Sequence, residues 1–139
     1  MASWARPDLL SPLQQRILAS VGANLSGVFL TGGSALGPFH LGHRRSFDLD
    51  LFTRQREGFD PLGKQLVELL SAEGLRVQPT TTGPGFRRFV ISDGIEDVPV
   101  DLALDTTPAL SPPITLPEGL SIDSIEDIAA NKLCTVLGR

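Results

Sequence analysis

The sequence predicts a mixed-sheet α/β or α+β domain, on three observations. Segments with helical and strand periodicity alternate along the chain, but without the regular strand–helix repeat of a parallel sheet. A chain of 139 residues with 41% hydrophobic residues is long enough to bury one core without disulfides. The single cysteine in turn excludes a disulfide within the chain. We therefore expect one domain, built as a small mixed β-sheet flanked by helices.

Two helices are predicted in the first half of the chain. Ser11 followed by Pro12 is a favoured helix start, and apolar residues then recur at helical spacing. Residues 61–73 have leucines along one side and end before Gly74, the residue type that commonly follows a helix. A brief helix is also expected to open at Ala35, directly after a glycine turn.

Strands are predicted where β-type residues cluster or where apolar and polar residues alternate. They cover residues 28–30, 47–52, 75–80, 86–92 and 98–104. Residues 81–85 have the composition of a turn between two of these strands. Residues 105–117 contain four prolines and are predicted to form a long surface loop.

A final helix is predicted after Ser124. Asp127 lies three residues further on, where it is expected to form the acidic half of a capping box. Apolar residues at helical spacing follow, and Lys132 lies on or beside their stripe. A lysine in that position either snorkels along the stripe or has a buried, directed role.

Two of the predicted strands carry carboxylates on the face opposite their apolar side chains. In residues 47–52, Asp48 and Asp50 share one face because strand side chains alternate. Asp101 lies in the middle of the apolar strand 98–104. If these strands are neighbours, three carboxylates converge, and two carboxylates about 5 Å apart repel by roughly 3 kcal/mol at an effective dielectric constant near 20. The sequence then predicts a cation, Mg²⁺ or Mn²⁺, because all the donors are oxygens.

Other interpretations of these residues stay open at this point. Asp-x-Asp alone is more often a solvated strand face than a metal platform, and Asp101 alternatively pairs with a neighbouring arginine or caps a turn. Gly32-Gly33-Ser34 follows a strand and opens a helix, as in phosphate-binding turns, but such a triplet is usually only a turn. Arg87 and Arg88 either add positive charge to the site or form one exposed arginine and one salt bridge.

The charge balance restricts how the chain handles nucleic acids and membranes. With 12 Lys+Arg against 16 Asp+Glu, the net charge of −4 argues against binding nucleic acid through charge alone. Phosphate chemistry must then use local charge or a metal. No apolar run approaches the roughly 20 residues that span a bilayer, and the N-terminus lacks a signal-peptide core. We expect a soluble cytoplasmic protein with no membrane partner.

Several segments together resemble a known family. They are Gly32-Gly33-Ser34-Ala35-Leu36, His43-Arg44-Arg45-Ser46-Phe47-Asp48-Leu49-Asp50-Leu51-Phe52, Asp101, Ala129-Ala130-Asn131-Lys132-Leu133 and Gly138-Arg139. In this order they resemble the nucleotidyltransferases of the AbiEii/AbiGii type, within the polymerase-β-like superfamily. The resemblance implies a minimal nucleotidyltransferase fold and Mg²⁺-dependent transfer of a nucleoside monophosphate from a nucleoside triphosphate to a hydroxyl acceptor. Some members act on RNA or tRNA as toxins of toxin–antitoxin or phage-defence pairs, which implies an antitoxin as a partner.

The resemblance also assigns roles to individual residues. Asp48 and Asp50 would bind the metal ions, with Asp101 as the third carboxylate that orients or deprotonates the acceptor hydroxyl. Lys132 would meet the triphosphate from the last helix. The residues assigned to nucleotide and phosphate binding are Gly32, Gly33, Ser34, Arg44 and Ser46.

The resemblance has one departure, at the C-terminus. Relatives usually continue beyond the residues that match Gly138-Arg139, so we expect a truncated or compact catalytic core over residues 1–139. Two rival functions remain. A nucleotide-sugar glycosyltransferase also uses Asp-x-Asp with a metal, but normally needs a larger domain and does not require Asp101. A non-catalytic nucleotide- or partner-binding domain would retain the fold without the chemistry.

Overall fold

The computed structural model describes residues 9–35, 47–106, 109–116 and 119–136, with residues 33, 34 and 131–136 described by their backbone only. Seven strands and four helical segments lie within these ranges. The helices are α1 (Pro12–Asn24), α2 (Gly32–Ala35), α3 (Phe59–Ala72) and α4 (Ile125–Val136). The strands are β1 (Phe29–Thr31), β2 (Leu49–Thr53), β3 (Arg76–Gly83), β4 (Phe86–Ser92), β5 (Asp97–Leu104), β6 (Ile114–Thr115) and β7 (Ser121–Ile122).

All seven strands form one mixed sheet in the order β3-β4-β5-β2-β1-β7-β6. β2 runs parallel to β5 and β1 runs parallel to β7, whereas the other neighbours are antiparallel. This architecture confirms the predicted fold class, a small mixed sheet combined with helices. The two predicted carboxylate-bearing strands, now β2 and β5, are neighbours, which is the condition under which their carboxylates converge.

One face of the sheet forms the hydrophobic core. Leu30, Leu51 and Leu102 are register partners on β1, β2 and β5, and each is at most 1% exposed. Apolar residues of α1 and α3, including Ile17 and Leu66, belong to the same buried cluster. The residues between these core positions point to the opposite face because strand side chains alternate. That second face is where the polar side chains of β2 and β5 lie.

The helix starts follow the predicted signals at α1 and differ slightly at α3. The Ser11 side chain accepts a hydrogen bond from the Gln14 N–H, and the Gln14 side chain accepts one from the Ser11 N–H, which completes a capping box. α3 begins at Phe59, two residues before the predicted start. It ends at Ala72, and Gly74 beyond it adopts a φ of 84°.

Two predicted connections are shorter than expected. Residues 81–83 belong to β3, where they pair with residues 86–88 of β4, so the turn is only Pro84-Gly85. A register shift between Pro79 and Thr81 accommodates the proline, which has no N–H for the ladder. The predicted loop 105–117 contains β6, which pairs with the unpredicted β7. Strands of two residues have no measurable alternation, which is why the pattern missed them.

Candidate active site

A row of polar residues crosses the sheet on the face opposite the core. Thr31 of β1 is the register partner of Asp50 on β2, which is the partner of Asp101 on β5, which is the partner of Arg88 on β4. Direct register partners present their side chains to the same face of a sheet, and neighbouring strands lie about 4.8 Å apart. We call these four residues the polar row. It brings two of the three predicted carboxylates, Asp50 and Asp101, side by side.

Asp101 is engaged by Arg88 through a two-point ion pair. Arg88 Nε donates to Asp101 Oδ1 at 2.6 Å, and Arg88 Nη2 donates to Oδ2 at 2.9 Å. The Asp101 side chain is 17% exposed, whereas that of Arg88 is 48% exposed. The hydrogen bond and charge of Asp101 raise the pKa of Arg88, and the charges of Asp48 and Asp50 act in the same direction. The pairing of Asp101 with a neighbouring arginine, left open by the sequence, is therefore present in this structure.

Arg87 does not contribute to the polar row, because it points to the other face of β4. Its guanidinium donates to Asp60 Oδ1 of α3 at 2.7 Å and to the carbonyl of Gly83 at 2.7 Å. It also lies over the ring of Phe59, 5.2 Å from the centroid. Both arginines are thus in ion pairs, and the alternative in which Arg87 adds positive charge to the site is not the one that the structure shows.

Gly32 allows the turn after β1 to close on Asp50. Its φ is 65°, in the left-handed region that favours glycine. A Cβ atom placed on Gly32 would lie 2.6 Å from Asp50 Oδ2, closer than real Cβ contacts allow. A short helix follows β1 as predicted, but α2 covers the glycine turn itself and ends at Ala35, where the helix is predicted to open. The sequence assigned Gly32 to phosphate binding, and the structure adds a second reason for a glycine there: it leaves space for the Asp50 carboxylate.

Asp48 lies just before β2 and is exposed. In the part of the chain that the structure describes, no group of three or more His, Cys, Asp or Glu side chains is arranged to hold a metal ion. The donor chemistry still fits a hard divalent cation, because Asp50 and Asp101 offer adjacent oxygens and Asp48 is two residues from Asp50 on the strand. The three carboxylates can bind one cation together only if Arg88 releases Asp101. Their metal-binding roles therefore stay predictions.

A buried carboxylate that the sequence reasoning missed extends the polar row beyond β1. Asp123 is 1% exposed, and its Oδ2 accepts a hydrogen bond from Thr31 Oγ1 at 2.9 Å. Its Oδ1 accepts the N–H of Ser124 at 3.1 Å and lies 4.0 Å from the Arg54 guanidinium. Burial raises the pKa of Asp123. This side chain therefore connects the start of α4 to Thr31, the last residue of β1, and its only sequence signal is its place before a helix cap.

The predicted cap of α4 is half right. The Ser124 Oγ accepts the N–H of Asp127 at 3.1 Å, as expected of an N-cap residue. The Asp127 carboxylate does not complete a capping box, because the Ser124 N–H is taken by Asp123. Asp127 instead accepts from Ser124 Oγ at 2.6 Å and from the N–H groups of Leu110 and Ser111 at 2.9 and 3.2 Å. It thereby holds the preceding loop against the helix start.

An aromatic pair lies next to the polar row on the same face. The rings of Phe29 and Phe52 stack with centroids 5.1 Å apart, and they are register partners on β1 and β2. The Arg54 guanidinium lies over both rings, 5.2 and 4.7 Å from their centroids. Arg54 is thus held between these rings and Asp123, at the end of the row away from Arg88.

The remaining predicted site residues have no described side-chain position. Arg44 and Ser46 lie outside the described residues. Gly33, Ser34 and Lys132 are described by their backbone alone, within α2 and α4. Their predicted roles toward a triphosphate stay predictions.

Comparison with solved structures shows what the fold resembles. JHP933 from Helicobacter pylori aligns with a TM-score of 0.65 and 20% identity, over 88% of this chain and 53% of that one. A candidate nucleotidyltransferase from H. pylori aligns with a TM-score of 0.63 and 20% identity, over 88% of this chain and 55% of that one. The chain therefore has a fold like theirs and spans about half their length. No protein-family model matches the sequence, and no curated protein matches it.

Within the described ranges, no helix combines the length and the apolar composition that a membrane crossing needs.

Proposed function

We propose that this chain is the catalytic core of a metal-dependent nucleotidyltransferase. The observation that carries the proposal is the pairing of Asp50 with Asp101 on adjacent parallel strands, beside the Gly32 turn that leads into α2. Two carboxylates on the polar face of a sheet, next to a glycine turn, suit a reaction at a phosphorus atom that is assisted by a cation. The likeness in fold to a protein described as a candidate nucleotidyltransferase supports the same conclusion.

The reaction is the transfer of a nucleoside monophosphate from a nucleoside triphosphate to a hydroxyl group. The acceptor oxygen forms a bond to the α-phosphorus, the bond from that phosphorus to the leaving oxygen breaks, and pyrophosphate departs. The hydroxyl proton passes to Asp101. Asp48, Asp50 and Asp101 would hold Mg²⁺ or Mn²⁺, which when bound neutralises the carboxylates and polarises the phosphoryl oxygens. Little covalent chemistry is asked of the chain itself, whose residues orient the two substrates.

The triphosphate side of the proposal uses residues around the Gly32 turn and on α4. Gly33 and Ser34 in α2 would contact phosphate oxygens, and Arg44 and Ser46 would support them from the segment before β2. Lys132 would add a positive charge from α4. These roles rest on the sequence resemblance, as do the choice of RNA or tRNA as the acceptor and of an antitoxin as a protein partner.

The proposal is tested by measuring the transfer of labelled nucleotide to RNA, with a control variant of a residue on the same sheet. The purified chain is incubated with each α-³²P-labelled nucleoside triphosphate, Mg²⁺ or Mn²⁺, and total RNA, and label attached to RNA is measured. Asp50→Asn and Asp48→Asn should abolish labelling, because each removes an oxygen ligand with its charge. Asp97→Asn, an exposed carboxylate at the start of β5, is the matched control and should leave labelling unchanged. Full activity of either aspartate variant would refute the proposal.

The contribution of Lys132 needs a separate binding measurement. Lys132→Ala should weaken triphosphate affinity in calorimetric titrations, because the side chain would no longer offset phosphate charge. Unchanged affinity would remove Lys132 from the site.

A second candidate function is favoured by the ion pair on the polar row. Because both oxygens of Asp101 accept hydrogen bonds from Arg88, this carboxylate is neutralised without a cation. A non-catalytic nucleotide- or partner-binding domain would keep that arrangement permanently. The two functions are distinguished by calorimetry combined with the labelling assay, since the second predicts triphosphate binding without any transfer.

A further inference from the structure

We propose that Arg88 is the resident counter-ion of Asp101 and must release it before a divalent cation binds to Asp50 and Asp101 together. The inference rests on the proposed function and concerns how its cation site is assembled. Arg88 would act through Asp101 rather than on substrate, so it is a positioning residue.

The geometry of the ion pair puts Arg88 and a divalent cation in competition for the Asp101 carboxylate. Both Asp101 oxygens are occupied by N–H donors of one guanidinium, at 2.6 and 2.9 Å. Asp101 is the direct register partner of both Arg88 and Asp50, so the three residues follow one another along the polar row. A divalent ion bridging Asp50 and Asp101 would therefore sit next to a positive charge and share its ligand, which is unfavourable at this separation.

The surroundings of Arg88 also favour its release from Asp101. Its side chain is 48% exposed, so release does not strand a charge in the core. The guanidinium also lies over the ring of Phe86, 5.6 Å from the centroid.

A structural role alone would make a different prediction. If the pair only joins β4 to β5, removing Arg88 should destabilise the fold and leave cation affinity unchanged. If Arg88 competes with the cation, removing it should tighten cation binding even though the fold loses an ion pair.

The experiment measures Mn²⁺ binding to the purified full chain, by the loss of the free Mn²⁺ paramagnetic resonance signal, without nucleotide. Arg88→Gln should bind Mn²⁺ about tenfold tighter than the unchanged chain, because solvent screening reduces the removed repulsion at this half-exposed site. Arg88→Lys keeps the charge and should bind much as the unchanged chain does. Arg87→Gln is the matched control on the opposite face and should have no effect.

Two further measurements test whether Asp101 is the residue that binds the cation. The second uses the unchanged chain, so it does not depend on the folding of a variant. Adding Asp101→Asn to Arg88→Gln should remove the gain in affinity. In the unchanged chain, the ¹⁵N resonance of Arg88 Nε–H should shift when Mg²⁺ is added, since its acceptor is lost.

The outcomes separate this inference from the proposed function. Measurable Mn²⁺ binding that Arg88→Gln leaves unchanged or weakens overturns the inference alone, as does an Arg88 resonance that stays in place at saturating Mg²⁺. An absence of Mn²⁺ binding in both chains overturns the inference and the cation site of the proposed function together.

Discussion

Replacing Gly32 with alanine tests whether the turn after β1 sets the position of the Asp50 carboxylate. At a φ of 65° the alanine is held in the left-handed region, which costs about 1–2 kcal/mol. Its Cβ would lie 2.6 Å from Asp50 Oδ2, so the carboxylate must move. Moving the end of one side chain off its rotamer adds up to about 1 kcal/mol. A loss of about 1–3 kcal/mol lowers the melting temperature by about 3–10 °C, because 139 residues unfold with an entropy of about 0.3 kcal/mol/K.

Gly74→Ala is the matched control for this variant. Gly74 has a φ of 84°, but no atom lies within 4 Å of the position that its Cβ would occupy, so it has the backbone strain without the contact. In thermal unfolding followed by circular dichroism, Gly74→Ala should lose the stability that the backbone strain costs, about 1–2 kcal/mol, and Gly32→Ala should lose up to about 1 kcal/mol more. Only Gly32→Ala should lose RNA labelling, by about a hundredfold, which is the effect of a displacement of about 1 Å at a reacting centre. Equal labelling rates in the two variants would refute the role of Gly32 in positioning Asp50, and an unchanged melting temperature would refute the strain.

The two carboxylates at the start of α4 should give the stability opposite pH dependences, measured by urea unfolding between pH 3 and 7. Burial first raises the pKa of Asp127, but hydrogen bonds from Ser124 and the Leu110 and Ser111 amides leave it below 3.8 overall. The ionised Asp127 therefore makes its full contribution to the stability of the fold above pH 3.8. That contribution is lost as the pH falls through the lower folded-state pKa. Asp127→Asn should lack that loss and be less stable at pH 7 by about 1–3 kcal/mol, because one amide oxygen cannot replace two charged acceptors; equal stability at pH 7 would contradict this. Burial raises the pKa of Asp123 above 3.8, so this side chain favours folding most at low pH, where it is protonated, and the contribution is lost as the pH rises through the folded-state pKa. The free energy of unfolding of the unchanged chain minus that of Asp123→Asn should decrease as the pH rises through this pKa. A difference that stays constant with pH would contradict the raised pKa of Asp123.

The faces of β2 and β5 could be predicted because strand alternation is a local property. Leu49 and Leu51 alternate with Asp48 and Asp50, and a pattern of period two assigns the leucines to the core and the aspartates to the other face. The buried leucines, at most 1% exposed, confirm that assignment. The placement of Asp101 on the polar face followed in the same way from the apolar residues on either side of it.

The partner of Asp101 could not be predicted, because it depends on the register between β4 and β5. A shift of one residue in that register would have placed Arg87 rather than Arg88 beside Asp101. The Arg87 side chain would then lie on the polar face and the Arg88 side chain on the core face. Register is set by pairing across the whole sheet rather than by any single segment. The sequence therefore left an arginine pair and a cation as open alternatives for the same carboxylate.

The short strands and the Asp123 network were missed for a related reason. β6 and β7 have two residues each, too few for any periodicity, and β7 is a strand because it pairs with β1. Once β7 lies beside β1, the residue after it comes next to Thr31, and Asp123 accepts the Thr31 hydroxyl. A buried acid with three partners is thus a consequence of topology.

Two arginines each lie beside a carboxylate at opposite ends of the polar row, and the two pairs differ in their exposure to solvent. Arg54 lies beside Asp123 at one end of the row, and Arg88 holds Asp101 at the other. The first arginine is packed over two stacked phenylalanines and is 24% exposed, whereas the second is 48% exposed. Asp123 is therefore fixed as a structural carboxylate, because its partner is held in place. Asp101 has the more exposed partner, so in the proposed function it is the carboxylate that would become available to a divalent cation.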